Sequence, residues 1–150
     1  MSLDSLPAWL AYPNSKAVLR LGTNQAGRPE LHVACNAEGL ASLVGALLWL
    51  TSFSDHGSMS VSGLPFVRVE GALALSVIIS MEAEKRDYGR IVRVDKEKQF
   101  EWRVDDEQLT SLAINLHRIA TSPDYDNWLD VDVAQGSDAE LCFEVESAES

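Results

Sequence analysis

Basic residues are what this chain runs short of. From position 121 to position 150 there are nine acids and no lysine or arginine, and the full 150 residues hold 23 acids against 12 bases, a formal net charge of −11. A nucleic-acid binder needs Lys and Arg against phosphates, and an anionic membrane asks for the same, so neither is expected as a partner. No apolar run approaches the ~18 residues that span a bilayer. The first 16 residues have no basic stretch ahead of their apolar ones and carry Asp4, Pro7 and Pro13 instead. This is not the pattern of a secretory signal, and a cytoplasmic location is the expectation. Only two cysteines are present, Cys35 and Cys142, in no zinc or redox spacing, and both are expected to be reduced thiols. Missing as well are the glycine-rich phosphate loops, a G-x-S-x-G elbow and any H-E-x-x-H pair. His32, His56 and His117 stand far apart in no ligand spacing. No catalytic residue, metal or cofactor is assigned, and the chain is read as a non-enzyme.

What is present specifies an architecture. Hydrophobic residues make up 46% and charged residues 23%, ordinary values for a globular domain. At this length a chain buries roughly 70% of its unfolded surface, so a single domain needs no metal or disulfide. Residues 31–53 read as a short strand running into an apolar-faced helix. Asn36 caps that helix and Glu38 sits in its first turn, where the dipole favours an anion. Leu40, Leu43, Val44, Leu47, Leu48 and Leu50 form its apolar face. Gly39 and Gly45 weaken the helix by about 1 kcal/mol each relative to Ala, which close packing against another element would offset. Residues 16–21 and 30–35 read as a hairpin before it. Strands are expected near 58–61 and 66–69, and at 73–81, where a buried helix is the alternative.

Residues 100–122 repeat the plan 69 positions later. Asn36 matches Asp105, Glu38 matches Glu107, and Leu40, Leu43, Leu47 and Leu50 match Leu109, Leu112, Leu116 and Ile119. A hairpin over 90–94 and 99–104 precedes the second helix, Pro123 stops it, and strands at 127–133 and 140–145 follow. The expected fold is α+β: two ββαββ repeats, about 16–81 and 89–146, forming antiparallel sheet or sheets with both helices packed on the sheet.

The charge is uneven. Residues 1–75 hold five acids and four bases, residues 76–150 eighteen and eight. Asp124, Asp126, Asp130 and Asp132 suggest calcium, but position five of such a loop would be Trp128, no glycine makes the sharp turn and no Glu closes it. The alternatives are a solvated acidic face, with Trp128 in the core, and a contact surface in which Tyr125 and Trp128 are aromatic anchors among charges. On the second reading the partner-binding residues are Asp124, Tyr125, Asp126, Trp128, Asp130, Asp132, Asp138 and Glu140.

Asn36, Glu38, Gly39, Leu40, Leu43 and Leu47, with His56 and Gly57 after the helix, make the segment 31–62 resemble small bacterial immunity proteins that neutralise polymorphic toxins. The resemblance covers about a fifth of the chain, which differs in being longer and doubled. It implies a cytosolic non-enzyme that binds and blocks one toxin or effector domain. The acidic C-terminal region would suit a basic target. Two other readings stay open: a secretion chaperone, usually dimeric, that would hold an unfolded substrate on apolar patches, and a small enzyme with an unrecognised site. A homodimer is compatible with any of them.

Overall fold

The computed structural model describes residues 12–51, 56–71, 74–80, 89–94, 98–121 and 127–146. Strands β1 (Ala17–Thr23) and β2 (Pro29–Cys35) form the first hairpin, and helix α1 (Ala37–Thr51) follows. Three strands come next: β3 (His56–Ser60), β4 (Val67–Val69) and β5 (Ala74–Ser80). A second hairpin, β6 (Arg90–Arg93) and β7 (Gln99–Val104), leads into α2 (Asp106–Thr121), and β8 (Trp128–Asp130) and β9 (Glu140–Val145) end the order.

The local chemistry explains these elements. Asn24 closes the first hairpin: its Oδ1 accepts from the amides of Ala26 and Arg28 at 3.0 and 2.9 Å, and Gly27 supplies the positive φ that the turn needs. Leu19 on β1 and Leu31 and Val33 on β2 alternate onto the buried side. Asn36 caps α1 by accepting from Gly39 N at 2.7 Å. The same oxygen accepts from Lys16 N at 3.0 Å, and Asn36 Nδ2 donates to Asn14 O at 2.8 Å, so the cap also binds helix to hairpin. At α2, Asp105 Oδ1 accepts from Gln108 N at 2.7 Å while Gln108 Oε1 accepts from Asp105 N at 3.2 Å, a reciprocal cap.

The strands form a five-stranded sheet, ordered β4-β1-β2-β9-β8, and a four-stranded sheet, ordered β3-β5-β7-β6. The expectation of antiparallel sheets is corrected: both are mixed. β2 runs parallel to β9, with Glu30 opposite Glu140 and Cys35 opposite Val145, and β5 runs parallel to β7, with Ala74 opposite Gln99. β1 and β4 are parallel too. Each central pair joins a hairpin from one half of the sequence to a strand of the other half. Turn signals reveal hairpins, which are antiparallel by construction, but not such long-range joins. Within the 73–81 run, Ala74–Ser80 is a central strand and not a buried helix.

The helices pack against each other as well as on the sheets. One buried cluster takes in Leu40, Leu43, Leu47 and Leu50 of α1 and Leu109, Leu112, Leu116 and Ile119 of α2, along with residues of both sheets. Gly39 explains its own presence: a Cβ there would lie 2.2 Å from the Lys16 carbonyl oxygen. Trp102 is buried, and its Nε1 donates to Gly89 O at 3.1 Å.

The 127–133 strand of the sequence reading is shorter in the structure. Its pairing ends after Val131 N donates to Leu141 O at 3.0 Å, because the chain then crosses to β6, where Ala134 N donates to Gly89 O at 2.9 Å. The crossing covers the outer edge of β6. Asp138 N donates to Ile91 O at 2.8 Å, and Ile91 N and Arg93 N donate to Ser137 Oγ and Asp138 Oδ2.

Candidate functional site

The outer face of the five-stranded sheet, away from the helices, gathers the polar residues of β1, β2, β8 and β9. Alternation sends Leu31, Val33, Leu141, Phe143 and Val145 inward, and their neighbours Glu30, His32, Glu140, Cys142 and Glu144 therefore share the other side. Register sets one row across it: Arg20 opposite His32, His32 opposite Cys142, and Cys142 opposite Asp130. His32 Nε2 lies 3.1 Å from Glu144 Oε2, and the imidazole stacks on Trp128 at 5.2 Å between centroids, 28° from parallel. Trp128 Nε1 donates to Asp130 Oδ1 at 2.9 Å. Glu140 accepts from Asn24 Nδ2. Arg20 Nε is buried without a hydrogen-bond partner among the described residues. An open groove of about 810 Å³ runs along this side, lined by Asn24, Glu30, Trp128, Asp130, Asp132 and Glu140 among others.

The candidate residues divide. Trp128 and Asp130 lie together on β8, and both are exposed, Trp128 to 39%. It is therefore not a core residue. Asp132 is exposed two residues beyond Asp130 and lines the same groove as Glu140. Asp138 is not with them, since its backbone amide and carboxylate are engaged with β6. Asp124, Tyr125 and Asp126 lie outside the described residues. The sequence gives no site role to Glu30 or Glu144, and offers His32 and Cys142 only as metal-ligand or redox candidates without the spacing for either. The alternation of 140–145 already puts Glu140, Cys142 and Glu144 on one face, but the neighbouring strand that completes the face is β2, more than a hundred residues away.

Glu30, Asp130 and Cys142 bring their ligand atoms within 4.8 Å of one another. Two hard oxygens and a soft thiol make an indifferent donor set, and the thiol's surroundings favour its proton. Burial, then the charge of Glu30 and its hydrogen bond, then Asp130 and Glu144, push Cys142 up to about 12. Burial, and then Glu146, push Cys35 up to about 12. A protonated thiol donating to Glu30 accounts for the arrangement.

Both cysteines are thus expected to resist a thiol reagent in the folded protein near pH 7.5 and to react fully in urea. The raised values also link to stability. The protonated thiols favour the folded state, so their contribution is complete below about pH 9, the unfolded value, and is lost as pH climbs towards about 12. Unfolding midpoints taken across pH 8–11 should fall in the upper part of that range and should fall less in a Cys35→Ala/Cys142→Ala double variant. Rapid labelling of the native protein would contradict the buried, acid-surrounded thiols.

No helix among the described residues is long and apolar enough to cross a membrane. Compared with known proteins, the chain matches no protein family, no curated protein and no solved structure.

Proposed function

We propose that this chain is a binding protein that neutralises a basic toxin or effector domain by covering its working surface, and that it is not an enzyme. The observation that carries the reading is the acidic groove beside Trp128. Glu30, Asp130, Asp132 and Glu140 line it, and an exposed aromatic ring stands at its wall. Anionic surfaces steer a cationic partner into encounter, and a rigid aromatic gives the contact an apolar anchor. Here His32 stacks on Trp128, and Asp130 accepts a hydrogen bond from its indole nitrogen. Nucleic acid and anionic membrane would be repelled by the same charges. The resemblance of 31–62 to immunity proteins agrees with the reading but adds no site, since Gly39, Leu40, Leu43 and Leu47 are all buried.

We also propose that the chain is a duplicated ββαββ unit whose halves exchange hairpins. Three correspondences support this. Capping bonds recur at Asn36–Gly39 and Asp105–Gln108, 69 positions apart. Strand order matches when β1, β2, β5 and β3 are set against β6, β7, β9 and β8. The connection between the last two strands of each half covers the first strand of its own hairpin, β4 on β1 and 134–138 on β6.

The binding reading is tested with the partner recovered from the native cell. It should be a basic domain whose activity falls in proportion to the amount of this protein added. D130K/D132K should slow association about tenfold or more at low ionic strength and flatten its salt dependence. A partner inhibited equally well by that variant, with unchanged salt dependence, would remove this surface from the interface.

A further inference from the structure

Among the described residues, β8 is the edge of the five-stranded sheet. Val145 N donates to Asn127 O and Val131 N to Leu141 O, so the odd-numbered residues 127, 129 and 131 carry the ladder to β9. In an antiparallel pair the intervening residue turns its backbone N–H and C=O the other way, which aims those of Asp130 off the edge of the sheet. A second groove, of about 570 Å³, runs there between α2 and the β8 segment. Apolar Leu112, Leu129 and Val131 line it, as do the acids Glu107, Asp130 and Asp132. Arg118 is the one basic group on its wall among the described residues. A helix beside an open strand edge, with apolar floor and charged rim, is the geometry in which proteins add an extended peptide as a further strand.

We propose that β8 and α2 form a strand-addition groove that takes an extended segment of a partner protein, alternating apolar and basic side chains, as a sixth strand of the five-stranded sheet. The period of two fits the walls: one set of side chains meets Leu112, Leu129 and Val131, the other meets the acids. Charge selects the occupant. A second copy pairing through the same edge would bring its own Asp130 and Asp132 against these, and like charges on an edge strand oppose pairing. A basic strand meets the opposite condition. This rests on the reading of the chain as a binder of a basic protein, and it names which part of the partner is held.

The test uses the isotopically labelled full chain and a synthetic ten-residue peptide alternating valine with arginine. One control peptide carries glutamate in place of arginine, and another is N-methylated at alternate amides. The arginine peptide is expected to shift the amides of Asp130, Asp132 and Ser111 and to slow hydrogen exchange at Asp130 about tenfold or more. The glutamate and N-methylated peptides should bind at least about tenfold more weakly, and D130K should do the same to the arginine peptide. Shifts gathered instead around Glu30, His32 and Glu140, with exchange at Asp130 unchanged, would overturn strand addition and leave the acidic-surface reading standing. Equal binding of the N-methylated peptide, or no binding of the arginine peptide, would also overturn it. The binding reading itself is then decided by the inhibition measured with the native partner.

Discussion

Replacing Gly39 with alanine should destabilise the protein by about 2 kcal/mol or more, although alanine is the better helix former. Propensity alone would gain about 1 kcal/mol in a helix interior. Against that stands a collision with backbone. The new Cβ would lie 2.2 Å from Lys16 O and 2.9 Å from Lys16 C, with Asn36 Oδ1 at 2.8 Å. Neither Lys16 atom belongs to a flexible side chain that can swing away. Lys16 is tied at both polar groups, its N donating to Asn36 Oδ1 and its O accepting from Asn36 N at 3.0 Å. Relief therefore means moving the start of β1, the cap of α1, or both. Overpacking costs roughly 1–3 kcal/mol, and a lost cap about 0.5–2 kcal/mol more, which together exceed the propensity gain. Gly22→Ala is the control, because nothing lies within 4 Å of a Cβ built there and its φ is not positive. It should stay within about 0.5 kcal/mol of the parent. Urea unfolding of the two variants measures the difference. Equal stability of Gly39→Ala and the parent would mean that β1 does not approach α1 as closely as described.

The same glycine shows what a sequence can and cannot say. Gly39 and Gly45 in an otherwise strong helix pattern announce a close approach, but nothing local identifies the approaching atom as Lys16 O. Caps, helix faces and hairpins were legible because each is written within a few consecutive residues: Asn36 before an apolar stripe, Asp105 before another, Asn24 and Gly27 between two alternating runs. The mixed sheets were not, since the pairing of Glu30 with Glu140 and of Ala74 with Gln99 depends on which hairpin lies beside which strand. The candidate site suffers from the same limit. Trp128, Asp130, Asp132 and Glu140 stand in one acidic stretch and could be picked out there. Glu30 and His32 reach that surface only through the β2–β9 join, and Asp138 leaves it because the chain crosses to β6. The crossing also ended β8 at Asp130, where alternation alone would have carried it to Val133.

Truncating the core at Leu31 and at Phe100 should show whether the two sheets behave as one folding unit. Leu31 lies on β2 of the five-stranded sheet and is fully buried, while Phe100 lies on β7 of the four-stranded sheet and is 2% exposed. Loss of such side chains costs about 2–5 kcal/mol for Leu→Ala and about 3–5 kcal/mol for Phe→Ala, because a cavity adds to the lost burial. These are large fractions of the ~5–15 kcal/mol that holds a domain together. Sheets that merely sat side by side would each unfold alone, and each substitution would split the melting curve, lowering one transition and leaving the other in place. The buried cluster argues otherwise, since Leu31 and Phe100 belong to one contiguous set bridged by the packed faces of α1 and α2. The exchange of hairpins strengthens the point: β2 cannot leave without uncovering β9, nor β7 without uncovering β5, and each pair joins the two halves of the sequence. Leu31→Ala and Phe100→Ala are therefore both expected to shift a single cooperative transition downward, monitored by tryptophan fluorescence and far-ultraviolet circular dichroism with coincident curves. Two separated transitions in either variant would show that the halves are held together by less than the shared core described.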